Sequence, residues 1–398
     1  MSEEKYTTRD PAFWKIVFSL GLASFFIFGT MYSMQPLLPL LTKNYHISIS
    51  YASLAMSITT LGLIFGLLIL GFLTDRHGRT KFIHLSIATT TILLFIIPLM
   101  NMFLLIVIFR FIQGFMLAGV LSTALAYMSE EIAPKHFGFA TTLYIACNSV
   151  GGMMGRFVTG YIAEIYSWQT ALYTLGGLGV FTFIVILFSL PASRHFTTVQ
   201  NSIKNDLAGF FYHFKNPSLL LMFGLGMVLQ ISFTGMWTFL PFHLLEAPYH
   251  LSLQQISYFY FAYSLGVIGA PIAGYLSAKF SMSSLRIVGV LFLSAGMLIS
   301  LGESLIAISL GLGIVCLGFF ISHSLATATV SQTATHHKGS ASSLYLVSYY
   351  FGVSAGTTFL APLFEKFFWS GIVIFAAILP VAYVIVVKIY QRLKLAKT

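Results

Sequence analysis

The chain is poor in charge. Of its 398 residues, 8% are Asp, Glu, Lys or Arg, and 57% are hydrophobic, with a mean hydropathy of +0.88. A soluble domain carries about a quarter charged residues, so this composition excludes a soluble globule. Cysteine is nearly absent: Cys147 and Cys316 both fall in apolar runs, which excludes a disulfide framework and a cysteine-based metal site. Acids are scarce as well. All eleven lie in tails, in loops or at the ends of apolar runs, with Glu164, Glu246, Glu303 and Glu365 at one side of the membrane. No paired mid-membrane carboxylates, no His-Glu-x-x-His and no phosphate-cradling loop are present, so an enzyme is not expected. No cofactor or metal is expected either, and ATP drive would need a partner.

What the chain has in abundance is long apolar runs. A spanning helix needs about 20 mostly apolar residues. We count twelve such runs and expect an all-α membrane protein with a lipid bilayer around it. The net charge of +10 is not a nucleic-acid signature, because Lys and Arg concentrate in the loops of one face. That face is cytoplasmic by the positive-inside rule. Both termini are expected there, with the polar N-terminal tail leading into a retained signal anchor.

The one charged stretch among the early spans is Gly71-Phe-Leu-Thr-Asp75-Arg76-His-Gly78-Arg79-Thr-Lys81. Gly71 and Gly78 suit a tight reversal between two spans. Arg110 and Arg156 are read as the two strong bases inside spans, where an ionisable group faces a cavity or a partner. His323 in the tenth span is the most central titratable group, and an ordinary imidazole titrates near neutrality. Seven further polar or amphipathic side chains are cavity candidates: Tyr32, Gln35, Tyr127, Asn148, Tyr345, Ser348 and Tyr349. Gly114, Gly151, Gly152, Gly155 and Gly160 are expected to let helices pack closely.

A shift of about 203 residues brings Gly71-Phe-Leu-Thr-Asp75 onto Gly274-Tyr-Leu-Ser-Ala278 and Gly114-Phe115 close to Gly318-Phe319. Two six-helix halves follow: residues 1–190 and 218–398, joined by a linker at 191–217 with an interfacial helix near Leu207–Phe214. The halves differ, since Asp75 maps to Ala278 and Arg110 to Ile314.

Gly71-x-Leu-x-Asp75-Arg76-x-Gly78-Arg79 resembles the loop-2/3 signature of the major facilitator superfamily. Arg110-x-x-Gln113-Gly114 resembles the fourth-helix motif of its proton-linked drug antiporter branch. Asn148-Ser-Val-Gly-Gly-Met-Met-Gly-Arg156, Pro191-Ala-Ser-Arg-His195-Phe196 and His323-Ser324 with Ser342-Ser-Leu-Tyr345-x-x-Ser348-Tyr349-Tyr350 resemble the YnfM-type, arabinose-efflux-like inner-membrane permeases. The resemblance implies the major facilitator fold and a monomeric alternating-access transporter in a bacterial inner membrane. It further implies proton-coupled efflux of a drug, sugar or metabolite, with a gating role for the Asp75 loop against the start of the eleventh helix. Arg110, Gln113, Arg156 and His323 are then the residues for substrate and coupling. The antiporter signature of the fifth helix carries a proline beside its glycines, and Val150–Gly155 has none. Uptake by symport and a transport-dead sensor on the same fold are the alternatives.

Overall fold

The computed structural model describes residues 4–196, 211–334, 336 and 338–395. Among these, the chain is helical nearly throughout. Of the interfacial helix expected at Leu207–Phe214, residues 207–210 lie outside the described residues and 211–214 are helical. The helices are α1 (Pro11–Tyr32), α2 (Leu38–Tyr45), α3 (Ile49–His77), α4 (Arg79–Ile96), α5 (Phe103–Glu131), α6 (Pro134–Ile165) and α7 (Trp168–Ser189). They continue as α8 (Pro217–Leu245), α9 (Leu253–Phe259), α10 (Tyr263–Leu276), α11 (Met282–Ile299), α12 (Leu305–Thr333), α13 (Lys338–Phe359) and α14 (Ala361–Leu395).

Ten helical spans among the described residues are long and apolar enough to cross a membrane, with α9 and α10 counted together as Leu253–Leu276. The protein is therefore a multi-pass membrane protein. α6 and α13 are not among the ten. These are the helices expected as the fifth and eleventh spans, and they carry much of the polar inventory: Asn148 and Arg156 on one, Tyr345, Ser348 and Tyr349 on the other. With them the count agrees with twelve.

Several expected boundaries change, each for a local reason. The first apolar run, expected as one span over about Phe13–Leu41, is broken. It stops at Tyr32 and restarts at Leu38, because Pro36 has no N–H to continue the ladder, and Pro39 then sits in the first turn of α2. The eighth span is also broken, by a 3-10 turn at Tyr260–Ala262. The last helix kinks at Phe368, where φ is 54°. The charged stretch 71–81 is not a loop. α3 continues through Gly71, Asp75 and Arg76 to His77, and only Gly78 leaves helical geometry, with φ of 95°. Nothing lies within 4 Å of the position a Gly71 side chain would take, so Gly71 serves neither the reversal nor a close approach here.

Contacts divide the chain into two compact units. One comprises Met1–Ser48, Leu54–Asn201 and Leu251–Tyr260, and the other Ile49–Ser53, Ser202–His250 and Phe261–Thr398. Two short pieces thus belong with the unit opposite to their place in the sequence, a feature that the half-chain repeat does not show.

Within the first unit, α1 lies against α6 along glycines. A Cβ at Gly151 would overlap the backbone at Phe25, and one at Gly155 would overlap Gly29. This is small-residue packing, in which backbones approach closely enough for dispersion to hold the helices. The N-terminal tail is tied to the same unit. Tyr6 N–H donates to the Glu131 carbonyl at 2.8 Å, and Ala133 N–H donates to the Tyr6 carbonyl at 2.9 Å. The Glu131 carboxylate is fully buried at the end of α5. It accepts from Ser193 Oγ at 2.8 Å, from Arg194 N–H at 2.6 Å and from His195 N–H at 3.0 Å. The His195 ring Nδ1 stands 3.1 Å from its other oxygen. Glu131 thereby anchors the segment that follows α7.

Candidate functional site

The break between α1 and α2 sets up the first polar cluster. A helix interrupted at 33–37 leaves carbonyls without their usual partners. Gln35 N–H turns to the Tyr32 carbonyl at 3.1 Å, so it no longer serves Met31. Arg110 of α5 fills the gap. Its Nη2 donates to the Met31 carbonyl at 3.0 Å and its Nη1 to the Thr30 carbonyl at 3.3 Å. Nε donates to the Ala55 carbonyl of α3 at 3.1 Å, and Nη1 also donates to Gln113 Oε1 at 2.5 Å. Gln113 passes the connection on, donating to the Thr90 carbonyl of α4 at 3.2 Å. One buried guanidinium and one amide therefore join α1, α3, α4 and α5. Gly114, beside them, faces the Thr59 backbone closely.

The second cluster surrounds Arg156 of α6, which is also buried. Its guanidinium lies 3.8 Å over the Tyr32 ring and 5.9 Å from the centre of the Tyr260 ring. Nε donates to Gln35 Oε1 at 2.5 Å and Nη1 to the Gly152 carbonyl at 2.7 Å. One turn further on, Thr159 Oγ1 donates to the Ser33 carbonyl, another group freed by the break, at 3.0 Å. Cation–π stacking and hydrogen bonds orient this guanidinium. The structure thus brings together Tyr32, Gln35, Gly152 and Arg156, four residues singled out separately in the sequence.

The third cluster belongs to the second unit. His323 of α12 has its Nδ1 2.8 Å from the Tyr345 hydroxyl of α13. Its ring stacks on Phe319 at 5.5 Å and lies 4.6 Å from Tyr349. Phe319 stacks in turn on Phe233 of α8 at 4.0 Å. The imidazole ring is thus bonded to Tyr345 on the neighbouring helix, and nearby Thr327 Oγ1 donates to the His323 carbonyl at 3.0 Å. Arg286 adds a charge that the sequence reading assigned to the loops. It sits in the second turn of α11 and donates to Thr329 Oγ1. The signal for it was its place inside the ninth apolar run, outweighed by the nearby lysines of the charged face.

The remaining candidates separate. Tyr127 is fully buried and donates to the Pro191 carbonyl at 2.5 Å, which ties α5 to the end of α7. Asn148 accepts from Ser24 Oγ of α1. Ser348 is half-buried one turn from Tyr345. Asp75 and Arg79 pair at 2.7 Å across the Gly78 turn, and Arg79 also meets Glu130 at 2.7 Å. Gly160 faces Ser257 of α9, so it packs a segment from the other half of the sequence.

A helical protein with ten apolar spans among its described residues, glycine-faced helix contacts and buried arginines bridging helices has the build of a membrane carrier. Residues 20–357 match the model of the Major Facilitator Superfamily. The chain is 30% identical over 384 residues to the inner membrane transport protein YnfM of Escherichia coli, covering 96% of this chain and 92% of that one. It is 31% identical to the transporter YybF of Bacillus subtilis, covering 91% and 90%. A structure of a mutant of the nucleoside transporter NupG superposes with a TM-score of 0.76 at 15% identity, covering 93% of this chain and 98% of that one. A bacterial homolog of the human lysosomal transporter Spinster, inward-facing and unoccupied, gives 0.72 at 14% identity, covering 94% and 95%. The chain belongs to the Major Facilitator Superfamily. It is a membrane transporter of small molecules and not an enzyme.

Proposed function

We propose that the protein is a proton-coupled exporter of a small organic solute, working by alternating access as a monomer in a bacterial inner membrane. Both termini and the Gly78 turn face the cytoplasm in this reading, as the distribution of Lys and Arg supports. The halves 1–190 and 218–398 are the two repeats of the alternating-access cycle in this reading.

The observation that carries the coupling is the His323–Tyr345 contact inside an aromatic cluster. A neutral imidazole accepts or donates at Nδ1, according to its tautomer. A protonated one donates from both nitrogens. Binding a proton therefore forces Tyr345 to act as acceptor and places a charge among Phe319, Tyr345 and Tyr349. The pair changes its preferred surroundings with each proton, which is the property a coupling group needs. Arg156, held by Tyr32 and Gln35, is the substrate-side cation, and Arg110 with Gln113 holds the broken first span in register beside it. Asp75, Arg76 and Arg79 flank the inner gate.

The test is flux into proteoliposomes under an imposed pH gradient, with a panel of labelled solutes. Gradient-driven flux that His323→Gln renders insensitive to pH supports the reading. Flux driven equally well in His323→Gln overturns the coupling assignment. Accumulation with the gradient direction reversed would make the protein a symporter, a reading favoured by the fifth-helix glycines lacking the antiporter proline. Silence with every solute would favour a sensor.

A further inference from the structure

The two short pieces that belong with the opposite unit are each held at their first turn by a carboxylate. Leu253, at the start of α9, donates its N–H to Glu164 Oε2 at 2.9 Å, from the end of α6. Ser50, at the start of α3, donates its N–H to Glu365 Oε1 at 2.8 Å, from the first turns of α14. The two contacts are related by the internal repeat. Ser50 shifted by 203 residues falls on Leu253, and Glu164 shifted by 201 falls on Glu365. Helix N-termini present unpaired N–H groups and partial positive charge, which favour a carboxylate. At α9, Ser252 and Gln255 already form a capping box, so Glu164 takes an N–H that the box leaves over.

Chain connectivity turns these caps into constraints on motion. α9 belongs to the first unit but runs through the 3-10 turn Tyr260–Ala262 into α10 of the second. Ile49–Ser53 belong to the second unit but run directly into the rest of α3, in the first. Any displacement of the units must therefore bend the chain near residues 53–54 and 260–262, or release the two pieces. Helix packing holds each piece too: Ser257 faces Gly160, and Ser53 and Ser257 are both fully buried.

We infer that Glu164 and Glu365 are a matched pair of outer latches, each holding the first turn of a span to the opposite unit, and that both release when the outer face opens. This rests on the alternating-access reading and on the orientation proposed above. Neither residue belongs to the sequence motifs, and the Asp75 stretch lies at the other end of α3. The acid lost from the repeat at Ala278 is thus matched by a pair retained at the opposite ends of the spans.

The test uses the full-length protein in right-side-out vesicles, with Cys147 and Cys316 replaced by Ala. Ser257→Cys and Ser53→Cys report burial of the two pieces through their rate of reaction with a membrane-impermeant maleimide. Glu164→Ala is expected to raise labelling at 257 about tenfold, and Glu365→Ala to do the same at 53. The Glu→Gln changes keep an acceptor oxygen, so smaller rises are expected. They also carry the test should the Ala variants fail to fold. Labelling within twofold of the parent in both single variants and in the double variant overturns the latches. A second reporter, Ala341→Cys near the start of α13, is read in inverted vesicles. Its labelling falls in the double variant if the two faces open in alternation. A rise at 257 and 53 with no change at 341 leaves the latches standing and removes the alternating-access reading.

Discussion

The His323 Nδ1 stands 2.8 Å from the Tyr345 hydroxyl, on adjacent helices of the second unit. This bond joins a histidine of α12 to a fully buried tyrosine of α13. Tyr345→Phe keeps the ring and removes the hydroxyl. A hydrogen bond of this kind contributes about 1 kcal/mol, and more when one partner is charged. Gradient-driven flux should fall roughly tenfold in Tyr345→Phe, about 1.4 kcal/mol on the barrier, with its pH profile displaced. A fall in flux with the pH profile unmoved would assign Tyr345 to packing alone.

Arg110 carries a different expectation. It bonds three carbonyls and one amide oxygen on α1, α3 and α5, so its deletion strands buried acceptors as well as removing a cation. Leaving a buried acceptor unsatisfied costs about 1–3 kcal/mol. Arg110→Ala should therefore lower the thermal unfolding midpoint in detergent by several degrees. Arg110→Lys should recover less than half of that loss. A point-like ammonium cannot reproduce a planar fork that reaches Met31, Thr30 and Ala55 together. A midpoint unchanged in Arg110→Ala would show that the residue acts in transport only.

Two glycines of the sequence motifs should answer an alanine scan in opposite ways. A Cβ at Gly155 meets the Gly29 backbone of α1, which has no side chain to move aside. Gly155→Ala should destabilise by about 1–3 kcal/mol, the usual cost of overpacking. Gly71 lies inside α3 with open space around it. Gly71→Ala should leave unfolding unchanged or raise stability by up to about 1 kcal/mol, through helix propensity. Thermal melts of the two variants side by side would decide this, and equal losses would contradict the packing described for α3.

The helices were legible because apolar runs of spanning length have few alternatives, and the glycine faces because small residues recur at helical spacing. The polar clusters were legible only as residues, not as partners. Arg156 and Gln35 are 121 positions apart, and no local pattern announces their 2.5 Å bond. Arg286, a cation near a helix end, reads in sequence as part of the charged face, whereas its long side chain reaches back to Thr329. Charge and glycine together suggest a loop at 71–81. The helix persists because one residue, Gly78, can make the whole reversal.

The same stretch separates a role in folding from a role in gating. Arg79 is 8% exposed and shared between two carboxylates, Asp75 at 43% and Glu130 at 20%. The more exposed partner contributes little to stability, about 0–1 kcal/mol. Glu130 accepts from both Nε and Nη2 of Arg79, and losing that charged pair costs about 1–3 kcal/mol. Glu130→Gln should accordingly lower the unfolding midpoint, while Asp75→Asn should leave it within about a degree. Flux gives the complementary answer. If Asp75 closes the inner gate, Asp75→Asn slows gradient-driven transport several-fold in a protein of unaltered stability. Its flux, measured beside its melt, would return the parent value if Asp75 were only the outer partner of Arg79.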